Sequence, residues 1–178
     1  MATVALVVFW SAAGLIFYTY LGFPLASVLH GVLFRKPVRT RPYAPSVTFC
    51  IAAYNEADCM QAKLRNLEAL EYPAGKWNAI VISDGSTDGT ARIVENYGNP
   101  RIRVIEQNRS GKNAALNTAV AQASGEIVVF TDADIMLRPD TLRNMLAPLS
   151  DPTVVDVGGD LHNVNSGNGN DVERAYWN

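Results

Sequence analysis

The chain has 178 residues, 48% of them hydrophobic, which suits one domain of ordinary size with a real core. Its formal net charge of −2 gives no electrostatic case for nucleic acid as a partner. Two cysteines, Cys50 and Cys59, make neither a disulfide framework nor a zinc site, and Cys50 reads as a small core residue.

The first element is unlike the rest. Residues 3–34 include no Asp, Glu, Lys or Arg. Such a run exceeds the ~20 residues that cross a bilayer, so residues 1–34 are expected to form a transmembrane anchor, with Trp10, Tyr18 and Tyr20 at the interface. Gly22 and Pro24 are expected to end its straight part, leaving residues 25–34 as a kinked or interfacial continuation. A cleaved signal sequence would want a basic start and a shorter apolar run. The positive charges come afterwards instead, in Arg35, Lys36, Arg39 and Arg41. By the positive-inside tendency they put the N-terminus outside the cell (inner or plasma) membrane and the remainder in the cytoplasm. Pro37, Pro42 and Pro45 make residues 35–45 a basic, extended linker.

From residue 46 to residue 178, strands and helices alternate. Residues 46–53 read as a strand, and 56–70 as a helix with Met60, Leu64, Leu67 and Leu70 as its apolar residues. A second strand follows at 78–83 and a short helix at 88–97, with Ser86 or Thr87 as its cap. A third strand at 101–106 precedes an alanine-rich helix at 112–122 that closes near Gly125. A fourth strand at 126–131, a helix at 141–149 and a fifth strand at 153–157 complete the alternation. This order implies an α/β, Rossmann-type, mainly parallel sheet with helices on both faces. Residues 158–170, rich in Gly and Asn, read as a loop or loose hairpin. Residues 171–177 read as the start of a helix whose Tyr176 and Trp177 are left unburied, as in a piece of a longer protein.

The chemistry concentrates in two acidic clusters, each after a short β-branched run. They are Ser83-Asp84-Gly85-Ser86-Thr87-Asp88 and Thr131-Asp132-Ala133-Asp134. The C-terminal ends of parallel strands are where open α/β sheets bind ligands. Mg²⁺ is usually held by one or two carboxylates plus substrate phosphates, so Asp132 and Asp134 are candidate ligands for Mg²⁺ or Mn²⁺. The competing reading gives these acids turn and cap roles, and Asp88 in particular reads as a capping acid. Tyr54, just past a strand tip, is placed either to stack on a nucleobase, with backbone groups of Ala53 and Asn55 at the base edge, or to pack at the sheet end. Lys112 opens a helix, where backbone N–H groups and the dipole favour phosphate, or it is simply solvated. A Walker-type loop fails here, because Glu106 stands for the first glycine and Asn113 follows the lysine. Asn108-Arg109-Ser110 matches a glycosylation triplet, which carries no meaning on the cytoplasmic side.

Four motifs in order resemble those of the membrane-bound family-2 glycosyltransferases, which have the GT-A fold. They are Ala52-Ala53-Tyr54-Asn55-Glu56, the stretch from Ser83 to Thr90, the stretch from Gly111 to Asn117, and Thr131-Asp132-Ala133-Asp134. The resemblance covers roughly residues 47–177. It implies a nucleotide-diphosphate sugar donor, a UDP-sugar, bound by Ala53, Tyr54, Glu56, Asp84, Lys112 and Asp132, with Mg²⁺ or Mn²⁺ on Asp132 and Asp134. It also implies that Asp84 accepts from a uracil N–H. The reaction implied is inverting transfer to a saccharide or lipid-linked acceptor at the membrane, in cell-envelope or exopolysaccharide synthesis. Ser83 stands where many relatives carry a second Asp, which leaves position 83 without a role. In relatives the general base lies further along; Asp160 is the only acid in that region here that could be proposed for it, so the chain is expected to bind donor and metal and to transfer little sugar. The other readings are a non-catalytic, membrane-tethered binding fragment and a dinucleotide-dependent oxidoreductase. The latter is disfavoured because no Gly-x-Gly-x-x-Gly follows the first strand.

Overall fold

The structure, a computed structural model, describes residues 1–34 and 36–159 together with the backbone of 161–163 and 174–176. It divides into two units, Met1–Val38 and Arg39–Asn178. In the first, α1 (Ala2–Phe17) passes through a π-turn (Tyr18–Gly22) into α2 (Phe23–Leu33). Pro24 has no N–H to donate and its ring would crowd the carbonyl of Tyr20; a widened turn just before it is the usual relief. The helix therefore runs through Gly22, which keeps helical angles (φ −64, ψ −50). It is long and apolar enough to cross a membrane (32 residues, mean hydropathy 1.9), and none of its residues is buried.

In the second unit the chain runs β1 (Val47–Ala53), α3 (Ala57–Glu68), β2 (Trp77–Asp84), α4 (Thr90–Asn96), β3 (Ile102–Gln107), α5 (Lys112–Ala121), β4 (Ile127–Phe130), β5 (Met136–Leu137) and α6 (Thr141–Leu146). Strands β1 to β4 form one parallel sheet in the order β3-β2-β1-β4. Alternate residues of a strand face opposite sides of its sheet. Phe49, Ile51 and Ala53 accordingly pack with Met60, Leu64 and Leu67 of α3, Val94 of α4 and Leu142 and Leu146 of α6. Cys50, Ile80 and Ile82 face the other way, onto Ala115 and Ala119 of α5. Helices thus cover both faces, as the alternation implies.

One close approach seats β4 beside β1. A Cβ on Gly125 would lie 2.6 Å from the Thr48 nitrogen, and the Gly125 N–H donates to Thr48 Oγ1 at 2.9 Å. The register then aligns Ala53 with Ser83 and Cys50 with Phe130, so the chain leaves β1, β2 and β4 at one end of the sheet.

Three local expectations are corrected. Residues 153–157 form no strand: Val155 is 92% exposed, and Asp151 accepts from the Thr153 N–H and hydroxyl in a turn. Strand propensity expresses packing on neighbouring strands, and these β-branched residues are paired with none. Within 171–177 the described residues form β7 (Arg174–Tyr176) in place of a helix, antiparallel to β6 (Leu161–Asn163) and parallel to β5. Pairing with distant strands overrides the local helix start. Helix α4 begins after Gly89 (φ +92), without a cap from Ser86 or Thr87, because both bond across to Asn55. Arg35, Asp160, Trp177 and residues 164–173 lie outside the described residues.

Candidate functional site

The tips of β1, β2 and β4 and the start of α5 surround a cleft of about 310 Å³. Ala53, Tyr54, Glu56, Asp84, Lys112, Asp132 and Asp134, the residues singled out from the sequence, all line it, with Ala52, Arg109 and Ala133. Another cleft, of about 370 Å³ between β4 and α6, is lined mostly by apolar groups and holds no cation. The first is the cleft at the strand tips, where the acids and cations of the sequence motifs converge.

The turn after β1 is built by side chains from the turn after β2. Asn55 has φ +55, the one positive φ outside glycine among the described residues, and asparagine tolerates it better than most. Its N–H donates to Ser86 Oγ at 3.1 Å and its Oδ1 accepts from the Thr87 N–H at 2.8 Å. That N–H is thus committed to Ser86 and does not point to a base edge. Asp88 accepts from Ala57 N–H at 2.9 Å and Thr90 N–H at 3.0 Å, so one carboxylate holds the first residues of both α3 and α4. Glu56 donates its own N–H to Thr90 Oγ1, and its Oε2 accepts from the Cys59 thiol at 3.2 Å. Burial, reinforced by that carboxylate, pushes the thiol up to about 12 and leaves it unreactive.

Asp84 is consumed in the same way. Its Oδ1 accepts from Gln107 Nε2 and the Ser110 N–H, and its Oδ2 from the Gly111 N–H, each at 2.8 Å; Oδ2 also meets Arg109 at 3.1 Å. Gln107 first, then the two N–H groups and Arg109, hold its carboxyl below the usual carboxylate range, against the opposing effect of burial. Four acceptor positions are filled, so in this arrangement Asp84 fixes the loop between β3 and α5; accepting from a base N–H would displace one of the four. Gly85 (φ +74) lets the turn press on that loop, since a Cβ there would lie 3.0 Å from the Arg109 nitrogen.

The loop delivers two cations. Arg109 lies over the Tyr54 ring, 3.4 Å from its centroid, which covers one face of the expected stacking platform. Lys112 Nζ meets Asp132 Oδ1 at 2.7 Å and Oδ2 at 2.9 Å. Behind the acids, Lys63 is fully buried and donates to Thr131 Oγ1 at 2.8 Å and to the Ile135 carbonyl at 2.5 Å. Burial lowers its ammonium to about 7, while Asp132 and Asp134 oppose that fall.

Arg109, Lys63 and Asn66 were not singled out from the sequence. Lys63 was detectable: it lies three residues after Met60 and four before Leu67, on the buried stripe of α3. Arg109 was detectable as a second cation just ahead of the helix that Lys112 opens.

Among the described residues, no three His, Cys, Asp or Glu side chains converge as a closed cation cage. Asp132 and Asp134, hard oxygen donors on an open cleft beside two cations, fit Mg²⁺ or Mn²⁺ completed by phosphate oxygens.

Residues 48–177 match the profile described as Glycosyl transferase family 2. The chain belongs to that family. It is 34% identical over 134 residues to glycosyltransferase AglE of Haloferax volcanii, covering 73% of this chain and 44% of that protein. The fold is similar to that of mannosyltransferase PcManGT from Pyrobaculum calidifontis, solved in complex with GDP-Man and Mn²⁺, with 35% identity and a TM-score of 0.68. That match covers 86% of this chain and 47% of the other. It is also similar to S. aureus TarS 1-349 in complex with UDP-GlcNAc, at 30% identity and a TM-score of 0.53, over 56% of this chain and 29% of that one. The chain thus spans less than half the length of each of these relatives. The GT-A-like α/β fold expected from the sequence is the fold observed.

Proposed function

We propose that the cleft binds the diphosphate of a nucleotide-sugar and that this chain supplies the donor side of a glycosyltransferase. The proposal is carried by two carboxylates, Asp132 and Asp134, and two cations, Arg109 and Lys112, lining one cleft at the strand tips. Lys112 sits at the start of a ten-residue helix, where N–H groups and the dipole favour an anion. A diphosphate there gives its ammonium a second partner besides Asp132. Asp84 holds the loop that aims Arg109 and Lys112, and Ala53, Tyr54 and Glu56 form the wall against which the nucleoside lies. Tyr54 is 45% exposed and offers an aromatic face for stacking. Mg²⁺ or Mn²⁺ on Asp132 and Asp134 would supply Lewis-acid neutralisation of the leaving diphosphate. Uracil is the base implied by the resemblance of the β2 motif, so we assign a UDP-sugar as donor. The sugar then passes with inversion to a saccharide or lipid-linked hydroxyl in cell-envelope or exopolysaccharide synthesis.

Titration calorimetry on the full chain in detergent tests this with UDP, GDP and NAD, each with and without Mn²⁺. Mn²⁺-dependent binding of UDP is expected to be the tightest. Tighter binding of NAD overturns the proposal; tighter binding of GDP changes the base and leaves the diphosphate reading standing.

We also assign residues 1–34 to a membrane anchor, 35–45 to a linker and 46–178 to the donor-binding domain, on the cytoplasmic side of the cell membrane. An unburied helix that is apolar all round, followed by Lys36, Arg39 and Arg41, supports the assignment. Protease added outside intact cells should leave the domain uncut, and efficient digestion reverses the topology.

A further inference from the structure

Helix α3 carries one cation within its buried stripe, at Lys63 among Met60, Leu64 and Leu67. An ammonium without water is costly unless it is well partnered, and a methionine would fill the same space. Its partners all lie in one segment. Lys63 reaches Thr131 Oγ1 and the Ile135 carbonyl, and one turn further along α3 the amide of Asn66 pairs with Leu137 in both directions. Asn66 Nδ2 donates to the Leu137 carbonyl at 2.7 Å and its Oδ1 accepts from the Leu137 N–H at 2.8 Å, as a neighbouring strand would.

Between the ladders of β4 and β5, main-chain hydrogen bonds give that segment little other support. The ladder of β4 ends at Phe130. Beyond it, the Thr131 N–H reaches Cys50 and the Ile135 N–H reaches Asp132, both at a long 3.4 Å. Asp132 and Asp134 lie between the anchored points, and two neighbouring carboxylates repel unless positive charge is near.

We propose that Lys63 is a positioning residue for the cation site. It holds the 131–135 loop so that Asp132 and Asp134 face the cleft together, and its charge behind them lowers the cost of bringing two acids into one place. Asn66 extends the same support to the far end of the segment. The inference rests on the reading of Asp132 and Asp134 as cation ligands, but the fixing of the loop is measurable without it.

The test compares the full chain in detergent with Lys63→Met, which keeps an unbranched apolar stem and removes the ammonium. Two readings are taken: Mn²⁺ affinity in the presence of UDP, from the resonance signal of the free ion, and amide hydrogen exchange across residues 131–137. Partners behind metal ligands typically govern affinity by about 10–100-fold, and a loss of that size is expected here. Exchange across 131–137 should accelerate while β1 and β2 stay protected at an unchanged melting temperature. Wild-type Mn²⁺ affinity and exchange in a folded Lys63→Met chain overturn the proposal. Asp132→Asn is measured alongside. If it too leaves Mn²⁺ affinity unchanged, the cation reading fails on its own account, and exchange alone decides whether Lys63 holds the loop. Should Lys63→Met fail to fold, Thr131→Val removes one of the ammonium's acceptors and leaves α3 intact. A folded Thr131→Val chain with wild-type affinity and exchange overturns the proposal equally.

Discussion

Asp84 on one wall of the cleft, and Asp88 outside it, spend their oxygens on main-chain N–H groups and neighbouring side chains, and so hold together the turns after β1, β2 and β3. On the other wall, Asp132 meets the exposed ammonium of Lys112, on a loop supported from behind by Lys63. The two clusters are similar in composition and both follow a parallel strand. Their surroundings separate them. A carboxylate ringed by fixed N–H donors organises structure, whereas one facing a long mobile cation can exchange it for another.

Asp132→Asn is the strongest test of that division. It removes one charge at a half-exposed position, so nucleotide affinity with Mn²⁺ should fall roughly 10–100-fold, as for loss of a contact to a charged group worth about 1.5–3 kcal/mol. Without Mn²⁺ the difference should largely vanish, and stability should stay within about 0.5 kcal/mol. Calorimetry and thermal melting check both halves.

Asp84→Asn should behave in the opposite way. The asparagine turns an NH₂ group toward donors that need an acceptor, so the melting temperature should drop and nucleotide binding should weaken with or without Mn²⁺. The pH dependence sharpens the contrast. Hydrogen bonds hold Asp84 and Asp88 below the ordinary carboxylate range, so the folded chain binds fewer protons there than the unfolded one. Their stabilisation is present above the unfolded value of about 4 and is lost as the pH falls through the lower folded values. Acid unfolding should therefore be less steep in Asp84→Asn than in the wild type. An unchanged slope would deny Asp84 its structural role.

The smallest effect is expected at Arg109. Its guanidinium over Tyr54 is worth about 0.5–1 kcal/mol at an exposed site, so Arg109→Ala should weaken UDP binding by a factor of about 2–5 through that contact. The same substitution measured in Tyr54→Ala should cost less, because the ring is already gone. A cost undiminished in that background assigns Arg109 to the phosphates alone.

The sheet was legible because β1, β2 and β4 are short β-branched runs with nowhere to go but a buried ladder. The cleft was legible for a related reason: parallel strands release their chains at one end, so residues after each run must meet. Support from behind was harder to read. The spacing puts Lys63 on a buried stripe, but no local pattern names the Thr131 and Ile135 oxygens that receive it. Thr153, Val154 and Val155 misled because β-branching describes a preference for neighbours that the chain does not supply at that point. Arg174–Tyr176 became a strand through partners that no local pattern reveals.

The central place of β1 bears on how the domain is made. Its pairing with β2 joins residues 30 apart, Val47 with Trp77, but its other edge pairs with β4, 80 residues further along. At a synthesis rate of about 5–20 residues per second, that edge waits roughly 4–16 s for its partner to leave the ribosome. Throughout that interval Val47, Phe49 and Cys50 lie on an open, charge-free strand edge, the kind that recruits other chains. Slowing translation between Gln107 and Ile127 should therefore raise the aggregated fraction, whereas slowing it after Phe130 should not.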